Sequence, residues 1–310
     1  MILSVCPHTA LDRVMIIDEW IPGTPMRTER LINCVGGKGL DSAVVLNQLE
    51  VDTLAMGFIA GKVGRELLEL LEEYGIRMDP IWVDGSNRVA HVIAERKKNI
   101  HNHVIAGKVL INEEQEQEFI DKYRRHLEET DFVIIAGSIP PVMCQDFSAR
   151  LVRFAKEANV PILVDSQKQA MIEVVKEKPD IVKMNWEEFE WTFNLKAEDL
   201  KTLTNLAKEF YREHQLENLV LTLSKEGILS VTPQGTFLTK APFQKPRNAA
   251  GAGDAVSSAL VWRLSEGDDW LSALKWAGAV SAACVLTERT GDVHKEDVMR
   301  ILPQVTIEEL

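Results

Sequence analysis

Near the end of the chain, Asn248-Ala249-Ala250-Gly251-Ala252-Gly253-Asp254 runs straight into Ala255-Val256-Ser257-Ser258-Ala259-Leu260, a stretch that reads as helix. Glycines ahead of a helix let backbone amides turn toward one point, and those amides with the helix macrodipole make an anion pocket. Asp254 falls in the first turn. A carboxylate there can simply cap the helix and favour its dipole. It can also accept a hydroxyl proton while the amides of Gly251, Ala252 and Gly253 hold a phosphoryl group in flight. Position, a base and charge stabilisation are most of what phosphoryl transfer asks of a protein. Other nucleotide signatures are missing. Gly57-Phe58-Ile59-Ala60-Gly61-Lys62 is one residue short of a Walker loop and is followed by Val63, so it reads as an ordinary turn. No G-x-G-x-x-G follows the first apolar run, which argues against a dinucleotide oxidoreductase.

The elements that must position this loop are an alternation of short apolar runs and longer amphipathic segments. Residues 2–5, 53–59, 131–136, 160–164, 180–183 and 218–222 read as strands. Residues 41–50, 63–74, 113–129, 145–158, 169–177 and 199–214 read as helices. That rhythm predicts a mostly parallel, doubly wound sheet with helices on both faces, and a site beyond the carboxyl ends of its strands. Four segments break it. Residues 12–18, 27–33, 88–95 and 100–106 alternate loosely and are rich in β-branched side chains. They are expected to form a small second sheet, inserted into one chain-length unit, that works as a lid excluding water. In the last third a late strand at 236–240 precedes the glycine loop, and two helices at 255–264 and 268–287 follow it.

Composition narrows the partners. The 310 residues are 45% hydrophobic and carry 35 basic against 47 acidic side chains, a net charge of −12. This balance argues against general nucleic-acid or anionic-membrane binding, while leaving room for a small anion at a helix start. Cys6, Cys34, Cys144 and Cys284 form no C-x-x-C pair, so a zinc or redox motif is not expected. The first residues read as a buried strand rather than a signal peptide, and no apolar stretch is long enough to span a bilayer. A cytoplasmic protein is the default expectation.

Four motifs in order then point to a family. Gly251-Ala252-Gly253-Asp254 resembles the GAGD signature of the ribokinase-like, or phosphofructokinase B, carbohydrate kinases. Cys34-Val35-Gly36-Gly37-Lys38-Gly39 resembles their N-terminal glycine loop. Asn185-Trp186-Glu187-Glu188, after Lys183, resembles their N-x-x-E element, and Ala136-Gly137-Ser138-Ile139-Pro140 resembles their G-S-L-P turn. The likeness covers nearly the whole chain and is nearest to the branch containing 1-phosphofructokinase and tagatose-6-phosphate kinase.

The resemblance implies a ribokinase-like α/β fold and ATP-dependent phosphorylation of a sugar or phosphosugar hydroxyl, with Mg2+. It implies Asp254 as base and Gly251, Ala252 and Gly253 as anion hole. Lys183, Asn185, Ser224 and Gly227 would bind nucleotide, Glu188 would act on the metal through water, and the helix at 268–287 would flank the adenine. Asn185 and Glu188 can equally form a capping box, and both readings can hold together. Asp12, Gly36, Gly37, Lys38, Asp41, Arg88 and Ser138 would bind the acceptor, with Arg88 reaching an existing phosphate. Lys38 as a solvated loop cation and Arg88 as a lid-surface charge stay open. The family also implies a homodimer through the lid sheets, for which unpaired sheet edges give a physical motive.

The sequence departs from the family at the acceptor side. Asp41 stands where Asn is usual, Ala90 replaces a polar residue, and His101 and His103 share strand parity in the partner lid strand. Ser224 stands at a usual glycine, and residues 164–169 lack the glycine of D-x-S-G. These changes leave the transfer machinery intact and the acceptor open. A nucleoside, neutral-sugar or sugar-acid kinase and a non-catalytic sugar-binding regulator are the alternatives.

Overall fold

The computed structural model describes the backbone of residues 1–98 and 100–310, and the side chains of these apart from 100, 101 and 103. The expectation that His101 and His103 share a face lies outside the described residues. The chain runs β1 (Ile2–Cys6), β2 (Ala10–Ile17), β3 (Arg30–Gly36), α1 (Lys38–Gln48), β4 (Thr53–Ala60), α2 (Gly61–Glu73), β5 (Arg77–Gly85), β6 (Arg88–Glu95), β7 (Ile100–Ala106), β8 (Val109–Leu110) and α3 (Glu113–His126). It continues with β9 (Phe132–Ala136), α4 (Phe147–Glu157), β10 (Ile162–Asp165), α5 (Lys168–Lys176), β11 (Ile181–Asn185), α6 (Trp186–Phe193), α7 (Leu200–Glu213) and β12 (Leu219–Thr222). It ends with β13 (Ile228–Thr232), β14 (Gly235–Lys240), α8 (Ala252–Ser265), α9 (Trp270–Cys284), α10 (Lys295–Ile301) and β15 (Thr306–Glu309).

The main sheet has 11 strands in the order β15-β14-β13-β12-β11-β10-β9-β1-β4-β5-β8. From β12 across to β5 the pairing is parallel. The strands β13, β14 and β15 extend one side antiparallel. Central strands β1 and β9 are buried along their whole length, which a parallel sheet covered on both faces demands. Alternate residues serve opposite layers: Leu3 and Val5 join the core under α3 to α7, while Ile2 joins the core under α1, α8, α9 and α10.

The second sheet has the order β3-β2-β6-β7. Its β2–β6 pair is parallel and sets Ala10 opposite Arg88 and Asp12 opposite Ala90. The antiparallel β2–β3 pair sets Asp12 opposite Cys34.

Several elements differ from the sequence reading. The segment 57–62 is no turn: Gly57 to Ala60 finish β4, and Gly61 begins α2 directly. Helix α1 starts at Lys38 rather than Asp41, because glycines hide a helix start. Strand β5 was concealed by Pro80, tolerated because β8 covers only Asp84 and Gly85 and leaves most of β5 paired on one side. Strands β13 and β15 and helix α10 were also not expected, while α6 follows the Asn185–Glu188 capping box.

Candidate active site

Helix α8 begins at Gly251, whose φ of +84° is left-handed and whose missing side chain matters, since a Cβ would stand 2.4 Å from the Gly291 nitrogen. No side chain caps this helix start. Asp254 therefore makes no cap hydrogen bond among the described residues, though as an acidic residue in the first turn it still favours the helix dipole. Ala255 N–H donates to the Gly251 carbonyl at 2.8 Å, and the amides ahead of it are those a helix start leaves without intrahelical partners. Ala252 N–H turns partly back, 3.4 Å from the Ala249 carbonyl, so Gly251 and Gly253 are the freer donors. Asp254 is 7% exposed, and its Oδ1 is buried with no hydrogen-bond partner among the described residues. Burial, and then the Asp165 carboxylate, push its pKa up to about 7 against the opposing pull of Lys183 and Lys38.

A chain of charges runs beside it. Asp165, at the carboxyl end of β10, is fully buried and accepts from Lys183 Nζ at 2.5 Å and Lys38 Nζ at 2.7 Å. Lys38 Nζ also donates to Glu188 Oε1 at 2.7 Å. Burial opposes the charge on Asp165, but the two ammonium groups outweigh it and hold the carboxyl below its ordinary range. Burial opposes the charge on Lys38 as well, and Asp165 with Glu188 overcomes it and raises the ammonium. At the start of α6 Glu188 N–H donates to Asn185 Oδ1 at 2.7 Å, while Asn185 N–H donates to Glu188 Oε2 at 3.0 Å. The capping box is thus present, and Glu188 keeps its other oxygen for the charge chain.

These groups open on a cavity of about 820 Å³ lined by Lys38, Lys183, Asn185, Glu188, Ser224, Gly227, Ala252, Gly253 and Asp254. The expected nucleotide residues and the expected base are thereby brought together. Lys38, expected on the acceptor side, also lines this cavity and ties the acceptor loop to the charge chain. On α9, Gly278, Ser281 and Ala282 line the cavity, while Ala277, Ala279 and Ala283 are core residues. Ser224 takes the left-handed φ of +54° that its usual glycine would supply, and Lys168 does the same at +56° in the D-x-S-G position.

Acceptor-side candidates gather where the small sheet meets β1 and β9. A Cβ on Gly36 would lie 2.3 Å from Asp12 Oδ1, so the glycine lets the backbone pass the carboxyl. With Cys34 and Ala90 as its cross-strand neighbours, Asp12 is pushed up to about 6 by burial, which Arg88 opposes. Arg88 donates to the His8 carbonyl at 2.5 Å, and its Nε is buried without a partner among the described residues. It is therefore not a lid-surface charge. Ser138 Oγ is 3.1 Å from His8 Nδ1. Burial, then Arg88, depress His8 to about 3, so its ring is neutral. Gly37 caps α1 at φ +101°, and Asp41 is buried at 5% exposure on that helix. Sequence reasoning missed His8 and Asp165 as site residues. The signal for His8 was its place just beyond an apolar strand, and for Asp165 that place together with the D-x-S-G likeness of residues 164–169.

The pfkB family carbohydrate kinase model matches residues 5–296. The chain belongs to this family. It is an enzyme that phosphorylates a sugar. Among pfkB relatives, it is 25% identical to tagatose-6-phosphate kinase of Staphylococcus epidermidis, covering 100% of both chains. It is 27% identical to D-tagatose-1-phosphate kinase of Bacillus licheniformis, covering 99% of each. Two solved pfkB-type folds superpose closely. A possible 1-phosphofructokinase of Thermotoga maritima gives a TM-score of 0.89 at 22% identity over 100% of this chain and 99% of that one. Phosphofructokinase-2 of Escherichia coli gives 0.88 at 20% identity over 97% and 98%. The ribokinase-like architecture expected from the motifs is the one observed. Among the described residues no helix is long and apolar enough to cross a membrane.

Proposed function

We propose that this enzyme transfers the γ-phosphoryl group of ATP to a hydroxyl of a phosphosugar, with Asp254 as the general base. The observation that carries this reading is the buried carboxyl of Asp254, whose Oδ1 has no partner among the described residues, beside a helix start without a side-chain cap, on the wall of a cavity large enough for a nucleotide. The acceptor hydroxyl lies against Asp254 and gives up its proton as its oxygen attacks in line. A base with pKa near neutrality suits that step. The Gly251 and Gly253 amides face the charge that develops on the transferred group. Lys183, Lys38, Asn185, Ser224 and Gly227 hold the nucleotide on the other side.

Magnesium fits this site only in part. Among the described residues no group of three or more His, Cys, Asp or Glu is placed to hold a metal ion. Glu188 is a hard oxygen donor at the cavity wall, and it suits an ion that arrives on nucleotide phosphates and keeps its waters. Held there, such an ion would supply charge neutralisation on the phosphates.

Arg88 and Ser138 are the groups for a phosphate already on the acceptor, and the sugar-phosphate names of the relatives support that class. The small sheet acts as lid. Leu31, Val104 and Ile105, all more than half exposed on edge strands β3 and β7, support a homodimer through the lids. The test is ADP release across fructose 1-phosphate, fructose 6-phosphate, tagatose 6-phosphate, neutral sugars and nucleosides. Phosphosugars should give the highest kcat/KM. A neutral sugar or nucleoside as the best acceptor would refute the phosphosugar class, and acceptor binding without ADP would refute catalysis.

A further inference from the structure

The turn between α9 and α10 touches both the small sheet and the loop ahead of α8. On one side, Arg30 of β3 donates to Glu288 Oε2 at 2.5 Å, across 258 positions of sequence. On the other, the Glu288 carbonyl accepts from Asn248 Nδ2 at 3.2 Å, and Asn248 Oδ1 accepts from Ala250 N–H at 3.0 Å. Glu288 thus faces the small sheet with its side chain and the glycine loop with its backbone. Asn248 is 8% exposed, and its amide spends its donor on one contact and its acceptor on the other. The Ala250 carbonyl lies 4.0 Å from the Cys284 thiol. That carbonyl shares a rigid peptide plane with the Gly251 N–H, one of the two freer amides at the start of α8. Holding Ala250 at both its N–H and its carbonyl therefore aims the Gly251 amide.

The same turn is anchored to the large sheet's helices. Arg289 donates to Tyr74 OH at 3.1 Å, just after α2, and Asp292 accepts from Gln48 of α1 at 2.9 Å. The small sheet is strapped to this body by two ion pairs, Arg13 of β2 with Glu66 of α2 and Arg30 with Glu288. A cavity of about 300 Å³, lined by Arg30, Leu31 and Asn33 of β3 and by Glu66 and Leu70 of α2, lies between β3 and α2. It leaves β3 room to shift. The side chains of Arg30 and Glu288 are 59% and 39% exposed, and a pair so exposed biases an equilibrium by about five-fold at most, so this strap can open and close.

We propose that Glu288 and Asn248 are positioning residues that carry the stance of the small sheet into the anion hole. With Arg30 on Glu288, the Asn248 amide holds Ala250 so that the Gly251 N–H faces the transferred phosphoryl group. With the strap open, that amide loses its aim. Docking of the lid and assembly of the anion hole are then one linked step. This rests on the proposed role of the Gly251 amide in phosphoryl transfer.

The experiment is a mutant cycle read as single-turnover transfer from ATP to the best acceptor of the panel above. Nucleotide affinity and melting temperature are measured on the same samples. Arg30→Ala, Glu288→Gln and Asn248→Ser each cut one link. The serine hydroxyl can still accept from the N–H two residues on, but it is too short to reach Glu288. Each variant should slow transfer by about three- to five-fold, with nucleotide affinity within about two-fold of wild type. The Arg30→Ala/Asn248→Ser double variant should be no slower than its slower parent, whereas independent effects would multiply to about ten-fold or more. The charge swap, Arg30→Glu with Glu288→Arg, should restore the rate, and added salt should narrow the gap between wild type and Arg30→Ala. Multiplied effects in the double variant, or an Arg30→Ala enzyme that transfers at the wild-type rate in low salt, would overturn the coupling and leave the kinase reading standing. Absence of transfer by the wild type to every acceptor would overturn the kinase reading and this proposal with it.

Discussion

Lys38 and Asp165 stand 2.7 Å apart and tie the glycine loop at the start of α1 to the end of β10, two points 127 residues apart in sequence. Because Asp165 also holds the nearly inaccessible Lys183, one carboxylate accepts from two ammonium groups at the cavity wall, and Glu188 supplies the second negative charge through Lys38. The pairing fixes where both cations stand before any ligand arrives.

Removing that carboxylate should therefore be expensive. Asp165→Ala leaves Lys183 buried and unpaired, and breaking a buried pair from one side costs about 3–5 kcal/mol. Urea unfolding should show that loss, and adding Lys183→Met should recover much of it. The same linkage has a pH sign. A carboxyl held below its unfolded value of about 4 contributes stability above that pH, lost as pH falls through the depressed folded value. The gap between wild type and Asp165→Ala should narrow toward pH 3.

Asp254 should behave oppositely. Its folded pKa of about 7 lies above the unfolded value, so the folded state is penalised once pH exceeds about 4, increasingly up to pH 7. Asp254→Asn removes the penalty and should be more stable than wild type by a few kcal/mol at pH 8, with little difference at pH 4. Thermal melts at the two pH values check this. A variant less stable at pH 8 would show that the buried carboxyl is not strained by its surroundings.

Much of this site was legible from spacing. The Gly251–Asp254 loop announced itself because glycines before a helix have few other uses, and Asn185 and Glu188 because capping chemistry is local. The parallel core was legible from continuous apolar runs such as Ile2–Val5. Long-range charge pairing was not. Nothing in the local sequence of Lys38 shows that its ammonium reaches Asp165 and Glu188 rather than an acceptor. His8 lies just after β1 and Asp165 at the end of β10, in short polar stretches that look like ordinary loops, and only the topology brings them to the site. The strand with Pro80 was hidden because edge position, not composition, decides whether proline is tolerated.

Ser224 tests whether the glycine-less turn is strained. Its φ of +54° is costly for a side chain with a Cβ, and Ser224→Gly should stabilise by about 0.5–1 kcal/mol after the greater unfolded-state freedom of glycine is counted. Chemical denaturation measures it. A destabilised variant would mean that the serine hydroxyl makes up for the backbone.

The central claim is that Asp254 takes the acceptor proton. Single-turnover transfer from ATP by Asp254→Asn, alongside wild type and with nucleotide binding measured on the same samples, tests it most directly. The account predicts unchanged nucleotide affinity, turnover lower by at least about 10³-fold, and loss of the wild-type rise in rate through pH 7. Turnover within ten-fold of wild type, with that pH limb intact, would contradict it.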